Sequence, residues 1–177
     1  MVLLLVITLA VTFPKTAGAS TQPYTTQQVV DEVGVGNYEA LSLWMSRHIK
    51  YRSDMYASDE WKEPSQTLKD GRGDCEDYAT LILECLRLMG VQDAFLLGVS
   101  RKVRNIGHVV SIFRESRDQN WSYYTFEKLR GGPKSFKTLL VWVSLECRYG
   151  SNPEYRLADR NMLNIPKEEE DAYGINN

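Results

Sequence analysis

The sequence predicts an α+β fold in which helices come first and an antiparallel sheet follows. In the first half, apolar residues recur at three- and four-residue steps, most clearly from Asp74 to Met89, which is the period of one helical face. After Gly90 the pattern changes to short apolar segments of strand length, separated by polar turns. The 177 residues show no internal repeat, and this length suits a single domain.

The predicted helices begin at capping residues. A short helix is expected over residues 26–32, and a clearer one begins after Asn37. Residues 65–68 are expected to form a single helical turn. Asp74 then caps the long helix, which Gly90 ends. The inward face of this helix is formed by Tyr78, Leu81, Ile82, Cys85, Leu86 and Met89.

Four segments are predicted to be strands. Residues 107–113 and 121–127 are separated by a polar turn, so we expect them to form an antiparallel hairpin, and residues 94–100 precede them. Residues 139–145 are apolar with weak alternation, which favours a buried strand. In the predicted strand 121–127, four side chains share one face: Trp121, Tyr123, Thr125 and Glu127.

The first 19 residues predict a signal peptide or a membrane anchor. Residues 1–13 are apolar and too short to span a bilayer comfortably, and residues 17–19 form a small-x-small cleavage site. No Lys or Arg precedes the apolar run. We expect an exported protein, at the membrane only if this segment is not cleaved. The expected divisions are the segment 1–19, a leader 20–36, a domain 37–148 and a polar tail 149–177.

Composition excludes some classes of function. The net charge is −2 and there is no basic run, so nothing points to nucleic acid as a partner.

The three cysteines permit one disulfide, between Cys85 and Cys147, with Cys75 left free. The alternative, which we prefer, is that Cys85 is a small buried apolar residue. A zinc site is disfavoured because no two cysteines or histidines have close metal-ligand spacing.

Cys75 lies at the N-terminal tip of the long helix, where the helix dipole favours the thiolate form. Gly71 and Gly73 precede it and allow another backbone or a substrate to come close. Asp74 and Glu76 flank the sulfur, and negative charge raises a thiol pKa. An imidazolium or a bound cation would have to offset this charge.

A cysteine nucleophile needs a base, and the chain has two histidines. His108 opens a predicted strand just after a glycine, where its ring can face the helix tip. An ordinary surface histidine at the start of a strand fits the spacing equally well. His48 lies on a helix and is interpreted as a packed or solvated residue.

Four motifs occur in order: Trp61-x-x-Pro64-x-x-Thr67-Leu68, Gly71-x-Gly73-Asp74-Cys75-Glu76-Asp77-Tyr78-Ala79, Leu88-x-Gly90-Val91 and Gly107-His108-Val109-Val110. Together they resemble the transglutaminase-like superfamily, and within it the bacterial transglutaminase-like cysteine proteinases and their archaeal relatives. The resemblance covers roughly residues 37–127. It implies a papain-like α+β core in which a helix carrying the nucleophile packs on an antiparallel sheet.

By this resemblance Cys75 is the nucleophile and His108 the general base of an acyl transfer through a thioester. A protein or peptide substrate is implied, with hydrolysis if water is the acceptor and cross-linking if an amine is. Proteinases of this kind bind calcium through acidic residues beside the cysteine, and Asp74 and Glu76 match those positions. The alternative is that Asp74 is only a helix cap and Glu76 an exposed first-turn carboxylate.

The sequence departs from the family at one position. The family supplies an aspartate on the strand after the histidine strand, and Thr125 occupies that place here. Glu127 lies two residues further on the same predicted face, which makes it a possible substitute. Because loss of the orienting carboxylate weakens catalysis, the alternative function is a non-catalytic transglutaminase-like module that binds a peptide or a cell-surface polymer.

Overall fold

The computed structural model describes residues 24–53, 61–101, 107–116, 118–149 and 153–158. The predicted signal peptide or anchor, 1–19, lies outside these residues. The helices are α1 (Thr26–Val33), α2 (Tyr38–His48), α3 (Pro64–Asp70), α4 (Cys75–Leu88) and α5 (Phe136–Glu146). The strands are β1 (Lys50–Tyr51), β2 (Arg72–Gly73), β3 (Asp93–Arg101), β4 (Gly107–Arg114), β5 (Ser122–Thr125), β6 (Lys128–Gly131) and β7 (Pro153–Ala158).

The main sheet has five strands in the order β6-β5-β4-β3-β7, and every neighbouring pair is antiparallel. In the β4–β5 pair Ser111 is opposite Tyr124, which confirms the predicted hairpin. Side chains alternate across the sheet, so Phe113 joins the core shared with α4 while Ile112 joins the core shared with α5. The α+β prediction is confirmed.

Helix α4 is the centre of the larger core. Ten of its residues are buried, and the helix begins at the predicted cap Asp74. The hydroxyl of Tyr78 donates to the carbonyl of Ile49 at 2.5 Å, which joins α4 to the end of α2. The hydroxyl of Ser111 donates to the carbonyl of Ala79 at 2.7 Å, which joins α4 to β4. Two buried hydrogen bonds therefore set the position of the helix tip against the sheet.

The predicted strand 139–145 is wrong, because this segment forms most of α5. Its buried residues have helical spacing: Phe136, Leu139, Leu140 and Val143. The exposed residues between them are also apolar, namely Val141, Trp142 and Leu145. Because these exposed residues are apolar as well, the segment lacks a clear helical alternation of apolar and polar residues and resembles a buried strand.

The packed region extends past residues 37–148 at both ends. Val29 and Val30 of α1 are buried in the α4-side core. At the other end β7 pairs with β3, with Leu157 opposite Leu97, so it forms an edge of the main sheet. These two elements lie in the segments expected to be a leader and a tail.

The cysteines are free thiols. Cys85 is fully buried in the α4-side core, as the preferred interpretation expected, and Cys147 packs on the α5-side core. The sheet separates these two cores, so the alternative Cys85–Cys147 disulfide is not formed. In the described part of the chain, no helix combines the length and the apolar character needed to cross a membrane.

Candidate active site

A glycine loop leads into the tip of α4. It is held by β1 and the residue after it, because the backbone N–H groups of Lys50 and Arg52 donate to the carbonyls of Gly71 and Gly73 at 2.9 and 2.8 Å. Gly71 has a φ of 60°, in the left-handed region. A Cβ on Gly73 would lie 2.4 Å from the Cβ of Asp77. Both positions therefore require glycine, one for its backbone conformation and the other for close packing.

Asp77 locks the first turn of α4. Its side chain is fully buried and forms an ion pair with the ammonium group of Lys62. The backbone N–H of Lys62 also donates to its Oδ1 at 2.9 Å, and the N–H of Asp74 donates to its Oδ2 at 3.4 Å. This carboxylate thus connects the helix tip to the segment before α3, and its role is structural.

Cys75 is partly buried at the first position of α4. Its Sγ donates to Oε2 of Glu76 at 3.0 Å, and the backbone of Val109 lowers the pKa of the thiol. Burial, followed by the hydrogen bond and charge of Glu76, raises the pKa of the Cys75 thiol well above its ordinary value, and the backbone of Val109 only partly opposes this. The thiol form is therefore favoured at neutral pH, against the expectation from the helix dipole alone.

His108 immediately precedes Val109 in β4. The imidazole Nε2 of His108 lies 3.1 Å from Oγ1 of Thr125, and the two groups form a hydrogen bond. The imidazole ring packs against the ring of Phe126, with centroids 4.8 Å apart. Burial lowers the pKa of His108, and the charge of Glu146 opposes this shift. The imidazole is therefore favoured in its neutral form.

The position expected to carry the family aspartate is the one that contacts the histidine. Thr125 is buried at the end of β5, and its hydroxyl is the partner of His108 Nε2. The prediction that Glu127 shares a strand face with Thr125 is wrong, because β5 ends at Thr125 and Glu127 lies in the following turn. The carbonyl of Glu127 accepts a hydrogen bond from the hydroxyl of Ser42 at 2.5 Å.

Asp74 and Glu76 are both buried, at 6% and 5% exposure. The interpretation of Glu76 as an exposed first-turn carboxylate is therefore wrong. Calcium takes oxygen ligands, and two buried carboxylates flanking Cys75 suit that chemistry. Among the described residues, however, no group of three or more His, Cys, Asp or Glu side chains is arranged to hold a metal ion. Asp74 and Glu76 can supply only part of a coordination shell.

His48 is a packed surface residue, as its position on a helix indicated. Its ring stacks on Trp44 with centroids 4.2 Å apart, and its Nδ1 lies 2.8 Å from the Trp44 carbonyl oxygen.

Two aromatic residues that the sequence does not single out, Phe126 and Tyr51, lie beside the site. Phe126 has a φ of 53° in the two-residue turn between β5 and β6, a conformation that Asn or Gly usually supplies. Its ring contacts those of Tyr51 and His108, at 4.9 and 4.8 Å between centroids. Nothing in the local pattern marks either residue, because the contacts join segments far apart in the chain.

The family model described as the transglutaminase-like superfamily matches residues 21–125, more than half of the chain. Among curated protein sequences, none matches significantly.

The solved structures that resemble this chain include LapG of Legionella pneumophila in several states. Calcium-bound LapG has a TM-score of 0.55 and 19% identity, over 80% of this chain and 76% of LapG. Another structure of LapG has a TM-score of 0.55 and 19% identity, over 84% of this chain and 80% of LapG. EGTA-treated LapG has a TM-score of 0.52 and 20% identity, over 84% of this chain and 83% of LapG.

At this level of identity the likeness to LapG shows a common fold. The match to the family model covers the glycine loop, Cys75, His108 and Thr125. The chain belongs to the transglutaminase-like superfamily.

Proposed function

We propose that this protein is a cysteine-dependent acyl-transfer enzyme in which Cys75 is the nucleophile and His108 the general base. The observation that carries the proposal is that the first turns of α4 pack against the elements that hold the imidazole. Ser111 of β4 donates to the carbonyl of Ala79 at 2.7 Å, and the ring of Phe126 contacts the rings of both Tyr78 and His108. These contacts bring the start of α4 to the histidine strand, which a Cys–His reaction requires.

Both pKa shifts favour a neutral pair in the resting protein. Burial raises the pKa of Cys75 and lowers that of His108, so the proton stays on sulfur. His108 then acts as a general base at the moment of attack rather than as a preformed imidazolium. Because Nε2 is engaged by Thr125, Nδ1 is the nitrogen we assign to proton transfer.

In the first step Nδ1 of His108 takes the sulfhydryl proton while the sulfur bonds to the substrate carbonyl carbon. The carbonyl π electrons move to oxygen and return when the bond to the leaving amine breaks. The amine departs with the bond's electron pair and takes the proton from His108, leaving a thioester on Cys75.

In the second step His108 takes a proton from an acceptor, which attacks the thioester carbonyl. The carbon–sulfur bond breaks, and the sulfur recovers a proton from His108. Water as the acceptor releases a carboxylic acid, whereas an amine forms a new amide. A peptide or protein substrate fits either outcome.

Thr125 positions the imidazole in this scheme. A hydroxyl can orient Nε2, but it carries no charge to stabilise an imidazolium as an aspartate would. We therefore expect slower proton transfer than in a site with a carboxylate at position 125.

Calcium binding by Asp74 and Glu76 is part of the proposal. Buried carboxylates supply the hard oxygen ligands that calcium prefers, although calcium takes about six to eight ligands and the others must come from elsewhere. A bound divalent cation would offset the carboxylate charge and so favour the thiolate of Cys75. The calcium-bound form of LapG, which has the same fold, supports this part of the proposal.

We further propose that the protein is exported. The support is the apolar segment 1–13 with its small-x-small site at residues 17–19. An extracellular, periplasmic or cell-surface location follows, with membrane attachment if residues 1–19 are retained.

A second function, a non-catalytic module that binds a peptide or a cell-surface polymer, is favoured by one observation. Thr125 replaces the charged residue expected to orient His108, and the imidazole is consequently held without an ionic partner at Nε2. Such a site can keep its substrate cleft while losing turnover.

The reactive ester p-nitrophenyl acetate separates these functions. We expect the full chain, with calcium present, to release p-nitrophenol and to gain an acetyl group on Cys75 that mass spectrometry detects. Cys75→Ala and His108→Ala should abolish the acetyl-Cys75 product, whereas His48→Ala, the matched histidine control, should retain it. Acetylation of Cys75 that is independent of His108, or absent in the unmodified chain, would favour the binding module.

A further inference from the structure

An acyl-transfer site must stabilise the oxyanion that forms on the substrate carbonyl. The backbone N–H of Cys75 opens α4 and has no acceptor within the helix, so it can serve as one donor. No side chain is recognisable from the sequence as the second donor. The structure contains a tyrosine in a suitable place.

Tyr51 is fixed beside the nucleophile by backbone pairing. It lies on β1 opposite Gly73 of β2, two residues before Cys75. The backbone hydrogen bonds to Gly71 and Gly73 hold this pair on both sides of Tyr51. The position of the tyrosine relative to the helix tip therefore depends on the main chain, not on a flexible loop.

The ring of Tyr51 completes a row of aromatic rings. It meets Phe126 edge-on, with centroids 4.9 Å apart at 76°, and Phe126 in turn packs on His108. Tyr51 is nevertheless 56% exposed, so one side of it remains open to a ligand. The ring thus lies at the mouth of the site with its inner edge on the residue that supports the imidazole.

The charges at the helix tip affect the phenol of Tyr51. Burial raises its pKa, a hydrogen bond with Ser53 opposes the rise, and the charges of Cys75, Asp74 and Glu76 increase it further. The raised pKa keeps the proton on the phenol, where it is available for donation.

We propose that Tyr51 is the substrate-facing residue whose hydroxyl donates a hydrogen bond to the carbonyl oxygen of the acyl group on Cys75. When the sulfur bonds to the carbonyl carbon, the π electrons move to oxygen and the Tyr51 hydrogen bond strengthens without transfer of its proton. The inference rests on the acyl-transfer function proposed above and adds the residue that binds the carbonyl.

Two probes of Cys75 test this assignment in the full chain. Acetylation by p-nitrophenyl acetate passes through an oxyanion, whereas alkylation by iodoacetamide displaces iodide at a saturated carbon and does not. Tyr51→Phe keeps the ring and should slow acetylation of Cys75 by at least about tenfold, while alkylation stays within about twofold of the unmodified chain. Tyr24→Phe, at a partly exposed tyrosine packed on Trp44, is the matched control and should leave both rates unchanged.

The outcomes separate the two proposals. Equal acetylation rates in Tyr51→Phe and the unmodified chain would overturn the role of Tyr51 while leaving the acyl-transfer function intact. An equal loss with both probes would also overturn it, because the effect would then be on the thiol. Absence of Cys75 acetylation in the unmodified chain would overturn the function and this inference together. Circular dichroism melting of each variant checks that the fold is retained.

Discussion

The backbone of Val109, the residue that follows His108, lies close enough to the sulfur of Cys75 to lower the pKa of the thiol. The two residues are 34 positions apart in the chain and belong to α4 and β4. The contact joins the tip of the central helix to the first residues of a sheet strand. It also provides the only opposition, among the interactions that shift the pKa of Cys75, to burial and carboxylate charge.

Alkylation of Cys75 by iodoacetamide should depend steeply on pH. Because burial and Glu76 raise the thiol pKa, the thiolate fraction at pH 7 is small and grows about tenfold per pH unit. We expect the calcium-free rate, measured by mass spectrometry of the Cys75 peptide, to rise through pH 9 without a plateau. A plateau near neutral pH would show that the thiolate is already formed, contrary to this account.

Glu76→Gln should make Cys75 more reactive at pH 7 in the absence of calcium. The substitution removes the negative charge next to the sulfur and therefore lowers the thiol pKa. Iodoacetamide labelling rates provide the measurement. Glu84→Gln, on the same helix, is the control and should leave the Cys75 rate unchanged. If Glu76→Gln reacts no faster than the unmodified chain, the carboxylate does not control the thiol.

Calcium should bind the unmodified chain and accelerate labelling of Cys75. The cation would offset the buried carboxylate charge of Asp74 and Glu76 and favour the thiolate. Isothermal titration calorimetry measures the binding without reference to activity. The double substitution Asp74→Asn, Glu76→Gln should abolish both the heat signal and the acceleration, and Glu84→Gln should retain them. Calcium binding that survives the double substitution would place the ion at another site.

Thr125→Asp should raise the pKa of His108. A carboxylate within hydrogen-bond distance of Nε2 favours the imidazolium and should shift this pKa upward by about one unit or more. Nuclear magnetic resonance titration of the His108 ring protons gives the value, and the acetylation rate of Cys75 should increase with it.

Two further substitutions complete that experiment. Thr125→Val keeps the volume but removes the hydroxyl, so we expect it to slow acetylation. Glu127→Gln changes a turn residue and should leave both the pKa of His108 and the acetylation rate of Cys75 unchanged. A rate that falls with Glu127→Gln but not with Thr125→Val would restore Glu127 as the orienting residue.

Lys62→Met should destabilise the fold. Asp77 is fully buried, and removing its cationic partner leaves an uncompensated carboxylate, which costs about 3–5 kcal/mol. Urea denaturation gives the free energy of unfolding. Lys69→Met, at an exposed position of α3, is the control and should have little effect. A loss below about 1 kcal/mol for Lys62→Met would mean that solvent reaches Asp77 and replaces the lysine.

The local features of the site can be predicted from the amino-acid sequence. Capping and apolar period located α4 from Asp74 to Met89, and the glycines at 71 and 73 marked the loop before it. These features are readable because each depends on residues within one or two turns of the helix. The family motifs then identified the fold, which the family match and the structure confirm.

The surroundings of the reactive side chains depend instead on long-range packing. Thr125 is the hydrogen-bond partner of His108, Glu127 lies in a turn, and Glu76 is buried. Tyr51 and Phe126 lie beside the site. Residues 139–145 belong to a helix, which the sequence did not indicate because apolar residues on the exposed face obscured the helical period. The pKa of Cys75 depends in the same way on burial and on a strand 34 residues away, and such long-range packing leaves no local pattern to read.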